Sequence, residues 1–273
     1  MTILSLSDEV FHETKMVFDK TSSNELFDLY KTSHLQEIVS SIKELIKRSE
    51  FVVLRNFPIN GNKDIFSSLV KQFGIYYGEV ESTGIKIDCN YTGCYHGKLD
   101  LHNDDAISLQ KQPHYGFITV TKEDPYLDVS NGVVVIKEIV EYLMANDTSF
   151  LDELLSYQFP MMSLGINYGS DKKPITTKHP ILYNDKGKFR VIYDQNRIKY
   201  FYHINGSIQP LVELELLYKF NRLCETFKRE FSIKKNDILI FNNKTTLHDR
   251  SECSFLLTPE GFETREIYVS FAY

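Results

Sequence analysis

Three side chains carry most of the chemistry that this sequence offers. His102 and Asp104 stand one residue apart in LDLHNDDAISL, and His248 lies far downstream in IFNNKTTLHDRSE, just after a strand-like run. In an extended segment residues i and i+2 project to the same side, so the imidazole of His102 and the carboxylate of Asp104 would converge. Two imidazoles and one carboxylate on one face of an ion form the donor set of non-haem Fe(II) chemistry. That set leaves three positions open, enough for a bidentate cosubstrate and O₂. Taken alone, a His-x-Asp pair is also an ordinary surface pair beside a turn, so its weight depends on what surrounds it.

A scaffold must bring these distant residues together, and the elements that could do so are strands. HYGFITVT, GVVVI, PILYNDKG, KFRVIYD, NDILIFNN and REIYVSFAY are short, β-branched or aromatic, and separated by turn residues. PILYNDKG and KFRVIYD read as a hairpin around Asn-Asp-Lys-Gly. FVVL at 51–54 reads as a short buried strand, and IKIDCNY near 85–91 as another. Helices are expected mainly over 1–50, where SHLQEIVSSIKELIKRSE has helical apolar spacing and a cap at Ser33. Others are expected over Asp64–Phe73, stopped by Gly74, over 137–157 with a break at Asn146–Asp147, and over 210–230 behind Pro210. The outcome is a mixed α/β, β-rich chain.

Composition excludes several classes. Lys and Arg number 31 and Asp and Glu 37, so the formal net charge is 31 − 37 = −6, the wrong sign for a nucleic-acid binder. No run of about 18 apolar residues exists, which argues against a membrane span. GxGxxG and GxxxxGK[ST] are both missing, which disfavours dinucleotide and P-loop enzymes. The opening MTILSLSDEVFHETK lacks a basic segment followed by a long apolar one, and four scattered cysteines build no disulfide scaffold, so the expected compartment is the cytoplasm. Cys89 and Cys94 with His96 nearby have no second pair at zinc-finger spacing. His12, His34, His114, His179 and His203 have no ligand spacing, and Lys172–Lys173 and Lys234–Lys235 read as solvated turns.

Five ordered blocks make the chain, over roughly 50–273, similar to the taurine dioxygenase and clavaminate synthase-like family of Fe(II)/2-oxoglutarate oxygenases. FVVLRNFPI resembles the strand that opens that family's core. LHNDDA followed by QPHYGFITV resembles the proximal metal motif and next strand, and KHPILYNDKGKFRVIYD the His-Pro segment with its two strands. KKNDILIFNNKTTLHDR resembles the block carrying the distal histidine, and TREIYVSFAY the terminal strand with its arginine. The chain departs from the family at Asn236, where glycine is usual. Asn tolerates the left-handed conformation that such a turn needs. It departs again at Arg265, which follows His248 by seventeen residues, a longer interval than in many relatives.

The resemblance implies one domain over 1–273. Its core would be a double-stranded β-helix (jelly-roll, cupin-like), with a helical elaboration over 1–50 and inserted helices. It implies Fe(II), 2-oxoglutarate as cosubstrate, O₂, and a small-molecule substrate. His102, Asp104 and His248 would hold Fe(II), and the carboxylate at Asp104 points to hydroxylation rather than halogenation. Arg265 would take the distal carboxylate of 2-oxoglutarate, with a surface ion pair to Glu263 or Glu266 as the plain alternative. Ser130 would donate to the same carboxylate. Asp105 and Arg250 would contact substrate, Asp105 by accepting from an ammonium. Arg250 remains a rival for the cosubstrate, and structural roles are expected for Asn243 and Arg55. An amino acid or its derivative is the expected substrate. A sulfonate, betaine or other small acid, or a metal-free barrel that only binds a small molecule, remain as alternatives.

Overall fold

The computed structural model describes residues 2–85, 96–107, 112–163, 174–259 and 261–273. The chain opens with β1 (Ile3–Ser5), α1 (Asp8–Lys20), α2 (Leu26–Leu29) and α3 (Ser33–Ser49). Ser7 caps α1 by accepting from the Val10 N–H, and Asp8 and Glu9 complement the dipole of its first turn. In α3 the residues Leu35, Ile38, Val39, Ile42 and Ile46 are buried on one stripe. Its cap is Thr32, one residue earlier than the sequence suggests, and the Gln36 N–H donates to the Thr32 carbonyl.

Next come β2 (Phe51–Arg55), α4 (Lys63–Val70) with a 3-10 turn to Phe73, β3 (Tyr76–Gly84), β4 (Leu99–His102), β5 (Tyr115–Lys122) and β6 (Ser130–Val135). At Gly74 a Cβ would stand 1.9 Å from the Tyr273 carbonyl oxygen, so only glycine lets the entry to β3 pass the end of the chain. α5 (Ile136–Asn146) and α6 (Thr148–Ser156) are separated at Asp147, whose side chain caps α6. Four strands follow: β7 (Phe159–Ser163), β8 (Ile175–His179), β9 (Leu182–Asp185) and β10 (Lys188–Val191). After them come α7 (Gln195–Asn205) and α8 (Leu211–Phe227). The final strands are β11 (Arg229–Ser232), β12 (Ile238–Asn242), β13 (Thr246–Arg250), β14 (Phe255–Thr258), β15 (Gly261–Thr264) and β16 (Glu266–Ala272).

Two sheets dominate. The larger has the order β1-β2-β12-β5-β16-β3 and the smaller β11-β6-β13-β4. Every neighbouring pair in both is antiparallel except β1 with β2. Phe51, Val53, Ile118, Leu239 and Phe241 from the larger sheet pack against Val133, Val135 and Phe231 from the smaller, so the sheets face each other. The opposite side of the larger sheet is covered by α3 and α4 through Ile42, Ile46, Phe66 and Leu69. On the side of the smaller sheet, α5, α6 and α8 build the largest apolar cluster with β7 and β10. No described helix is long and apolar enough to cross a membrane.

The structure amends the sequence reading locally. β1 adds a parallel edge strand within the segment expected to be helical. β4 ends at His102, and residues 104–107 form a turn with Asp105 at φ 52°. The convergence of His102 and Asp104 is therefore made by a turn after the strand, not by two residues of one strand. Lys86–Tyr91, Cys94 and Lys172–Lys173 lie outside the described residues.

Candidate metal centre

β13 runs between β6 and β4, and His248 pairs directly with His102 across the β13–β4 ladder. Directly opposed residues of an antiparallel pair share a face, so register alone brings together imidazoles that are far apart in sequence. Their ring centroids are 4.3 Å apart, and Phe241 packs at 4.5 Å on the other side of His248. Asp104 closes the third side. Its Oδ1 is 4.0 Å from His102 Nε2 and its Oδ2 3.5 Å from His248 Nε2. The three candidate donor atoms lie within 4.8 Å of one another, and this is the one such group among the described residues.

The protonation pattern suits a cation. His102 Nδ1 lies 2.8 Å from the Asp100 carbonyl, where it donates, and Nε2 is the nitrogen facing Asp104. Burial, with His102 adding to it, holds His248 well below the usual imidazole range and therefore neutral. Burial pushes Asp104 up to about 6; His102 pulls it back, while Asp105 and Glu81 push it further up. Asp104 Oδ2 is buried and accepts no hydrogen bond, and His248 Nδ1 is also unpartnered. A buried carboxylate oxygen without a hydrogen bond and two imidazole ring nitrogens thus converge on one point, a donor set that a divalent cation would bridge. These residues therefore fit a divalent metal.

The cluster opens into a cavity of about 590 Å³, mouth included. Leu99, Ile118, Ile267 and Val269 form its apolar walls, and Glu81, Asn131, Arg250 and Arg265 add polar groups. Arg265 immediately precedes β16 and is only 6% exposed. Burial pulls its guanidinium down to about 10, which leaves it charged at neutral pH. Its Nη2 is buried with no partner. Glu263 instead pairs with Lys122 at 3.3 Å, so the surface ion pair is not how Arg265 is used. A buried cation with a free donor beside the metal cluster fits a carboxylate ligand.

The other anticipated residues are placed differently. Arg250, at the end of β13, donates through Nη1 to the Ser251 carbonyl at 2.6 Å and to Cys253 Sγ at 3.0 Å. Its Nη2 donates to the Gly97 carbonyl at 3.0 Å. It borders the cavity but braces the loops beside it. Ser130 does not line the cavity: its N–H donates to Ser251 Oγ at 3.0 Å, and strand alternation turns its side chain away. Asn131, one residue on, is the β6 side chain that borders the cavity, with its Oδ1 unpartnered. Asp105 is half-buried beside the metal turn, close enough to raise both Asp104 and Glu81. Arg55 forms an ion pair with Asp237, and Asn243 is fully buried, both in structural settings.

Glu81 escaped the sequence reading because YYGEVESTG is polar and broken by glycine. Its signal was alternation: Val80 packs outward on the helical layer while Glu81 and Thr83 face the cavity. Burial, then Asp105, raises the Glu81 carboxyl.

Comparison with known proteins bears on the family and the fold. The sequence model of the taurine catabolism dioxygenase TauD, TfdA family matches residues 18–269. No curated protein matches the chain by sequence. Asparagine oxygenase in complex with Fe(II), 2S,3S-3-hydroxyasparagine and succinate is similar at a TM-score of 0.76 and 12% identity, over 100% of this chain and 93% of that one. The non-heme iron oxygenase OrfP in complex with Fe and alpha-ketoglutaric acid is similar at a TM-score of 0.67 and 14% identity, over 100% and 94%. OrfP in complex with Fe, succinate and (3S)-hydroxy-L-Arg gives 0.69 at 12% identity over the same shares.

Proposed function

The chain belongs to the taurine catabolism dioxygenase TauD, TfdA family and is a non-haem Fe(II)- and 2-oxoglutarate-dependent dioxygenase that acts on a small molecule; within that class we propose that it hydroxylates an amino acid or amino-acid derivative. The observation that carries the proposal is one cavity shared by the His102–Asp104–His248 cluster, Arg265 with its unpartnered Nη2, and Glu81, an exposed acid at the cavity's edge.

In this reading His102, Asp104 and His248 hold Fe(II), and Arg265 takes the distal carboxylate of 2-oxoglutarate. The bound iron and cosubstrate supply the activation of O₂ needed to oxidise an unactivated C–H bond. The rest is done by the chain. Arg265 fixes the cosubstrate by a forked, charge-assisted contact, and its burial keeps that contact from being screened. Leu99, Ile118, Ile267 and Val269 keep water from the reacting face. Glu81 and Asp105 offer carboxylates to a substrate ammonium. The Arg265 carbonyl lies against Gly84, three residues along β3 from Glu81, so anchor and acid are separated by roughly 10 Å of strand. Similar folds that hold hydroxyasparagine or hydroxyarginine support an amino acid as the class. Taurine and betaines carry the same pairing of a cationic nitrogen with an acid group, and a substrate panel separates them from amino acids.

The two facing sheets we read as a double-stranded β-helix within a single domain over 1–273. The free thiols Cys224 and Cys253 accord with a cytoplasmic setting.

The test is aerobic incubation with Fe(II), 2-oxoglutarate and panels of amino acids, taurine and betaines, read by mass spectrometry. Gain of one oxygen atom on an amino acid, coupled to succinate, is the expected result. Coupled product only from taurine or a betaine would replace the substrate class. Glu81→Gln is expected to raise the substrate KM at least tenfold and leave that of 2-oxoglutarate unchanged.

A further inference from the structure

The metal cluster draws on two pieces of chain with no covalent reason to keep a fixed distance: the turn after β4, which carries Asp104, and the connection that carries the chain from β12 in one sheet to β13 in the other, which leads to His248. One side chain ties them. Asn243, in the β12–β13 connection, is fully buried. Its Oδ1 accepts from the Asp104 N–H at 2.8 Å, and its Nδ2 donates to the Asp104 carbonyl at 2.9 Å. The same Nδ2 reaches the Pro113 carbonyl at 3.4 Å, and the Asn243 N–H donates to the His114 carbonyl at 2.8 Å. A single carboxamide thus pairs with both polar groups of the residue bearing the metal carboxylate, as a neighbouring strand would, and also holds the far end of the same segment.

Asn103 reinforces the arrangement from between the two proximal ligands. Its Nδ2 donates to the Asn243 carbonyl at 3.2 Å and to the Val191 carbonyl at 3.3 Å, and its Oδ1 accepts from the Tyr193 N–H at 2.8 Å. Asp104 itself has few alternatives. Its residue sits in a turn rather than a ladder, its neighbour Asp105 is left-handed at φ 52°, and Oδ2 has no hydrogen bond. Nothing else described bonds to its backbone N–H or carbonyl except this carboxamide.

We infer that Asn243 is a positioning residue: its carboxamide sets the place of the Asp104 carboxylate relative to His248, and so presets the metal site before the ion arrives. The inference rests on the metal reading above. Its consequence is on affinity and coordination geometry rather than on fold alone. Without the clamp the carboxylate must be ordered at the moment of binding, which weakens binding by the cost of that ordering.

The test uses Co(II) as a spectroscopic probe added to chelator-treated full-length protein, with affinity and the visible spectrum read together and melting followed in the metal-free state. Asn243→Ala is expected to bind Co(II) at least tenfold more weakly and with an altered spectrum. Leu216→Ala, a large-to-small change in the α8 core, is expected to lower the melting temperature and leave both metal readouts at wild-type values. Asn243→Asp is the isosteric variant. It keeps the acceptor for the Asp104 N–H, loses both donated bonds and adds a negative charge that would by itself strengthen cation binding. Weaker binding by Asn243→Asp supports the clamp. Wild-type affinity and spectrum in either Asn243 variant would overturn it. Failure of the wild-type protein to bind Co(II) would instead remove the metal reading and identify itself as such.

Discussion

Arg265 and Arg250 border the same cavity, yet their settings assign them different work. Arg265 is buried with a free Nη2, whereas Arg250 is held by Ser251, Cys253 and Gly97. Arg265→Gln is therefore expected to raise the KM for 2-oxoglutarate by about a hundredfold, the scale of losing one partner of a buried charge pair. Metal affinity in the absence of cosubstrate should stay at the wild-type value. Arg250→Gln should act mainly by loosening the loop around Gly97, with a smaller change in that KM; a larger one would exchange their roles. Asp104 gives a pH signature in metal-free protein. Its folded carboxyl sits at about 6 against an ordinary value of 3.8. A carboxyl raised on folding binds its proton more tightly when folded, so its contribution to stability falls as pH rises between those values and is level above. The difference 6 − 3.8 is about 2 pH units, or up to about 3 kcal/mol. That is an upper figure, because the side chain is 17% exposed on the cavity side. Asp104→Asn has no such titration. With chelator present, its stability relative to wild type should rise between about pH 4 and 6 and then level off, as read by urea unfolding.

At the scale of elements, the strands that carry the centre were legible because their sequences alternate or run apolar. β5, β6, β12 and β16 lie where HYGFITVT, GVVVI, NDILIFNN and REIYVSFAY place them. The β9–β10 hairpin turns through left-handed Lys186 and Gly187, and Asn236 does adopt φ 69°. α7 was not legible, since QNRIKYFYHIN is rich in aromatic and β-branched residues. Its start is set by Asp194, whose side chain accepts from the Asn196 and Arg197 N–H groups. β3 was hidden by its polarity, and with it Glu81. What no local pattern could show is register: that His248 faces His102 depends on pairing across 146 residues. The back of that ladder offers a stability test. Asp249 points away from the metal to Lys228 Nζ at 3.2 Å, and both side chains are buried. Gly132 lies under them, where a Cβ would stand 2.3 Å from Asp249 Oδ1 and 2.6 Å from Lys228 Cδ. Gly132→Ala is expected to cost about 1–3 kcal/mol by overpacking. Lys228→Met, which leaves Asp249 buried without its cation, should cost about 3 kcal/mol. Urea unfolding measures both, and a loss under about 0.5 kcal/mol, the scale of an ordinary surface substitution, would deny the ion pair a structural role.

At the scale of the whole molecule, two sheets face each other, and the candidate metal cluster opens into a cavity that residues of both sheets line. The central claim is that His102, Asp104 and His248 bind iron in the chamber where Arg265 binds 2-oxoglutarate. Anaerobic titration of the chelator-treated protein with Fe(II) and then 2-oxoglutarate, followed by visible absorption, tests it most directly. The account predicts a weak charge-transfer band that is absent in His248→Ala and Asp104→Ala and that needs far more 2-oxoglutarate in Arg265→Gln. A colourless wild-type mixture, or a band of undiminished strength in the ligand variants, would contradict it.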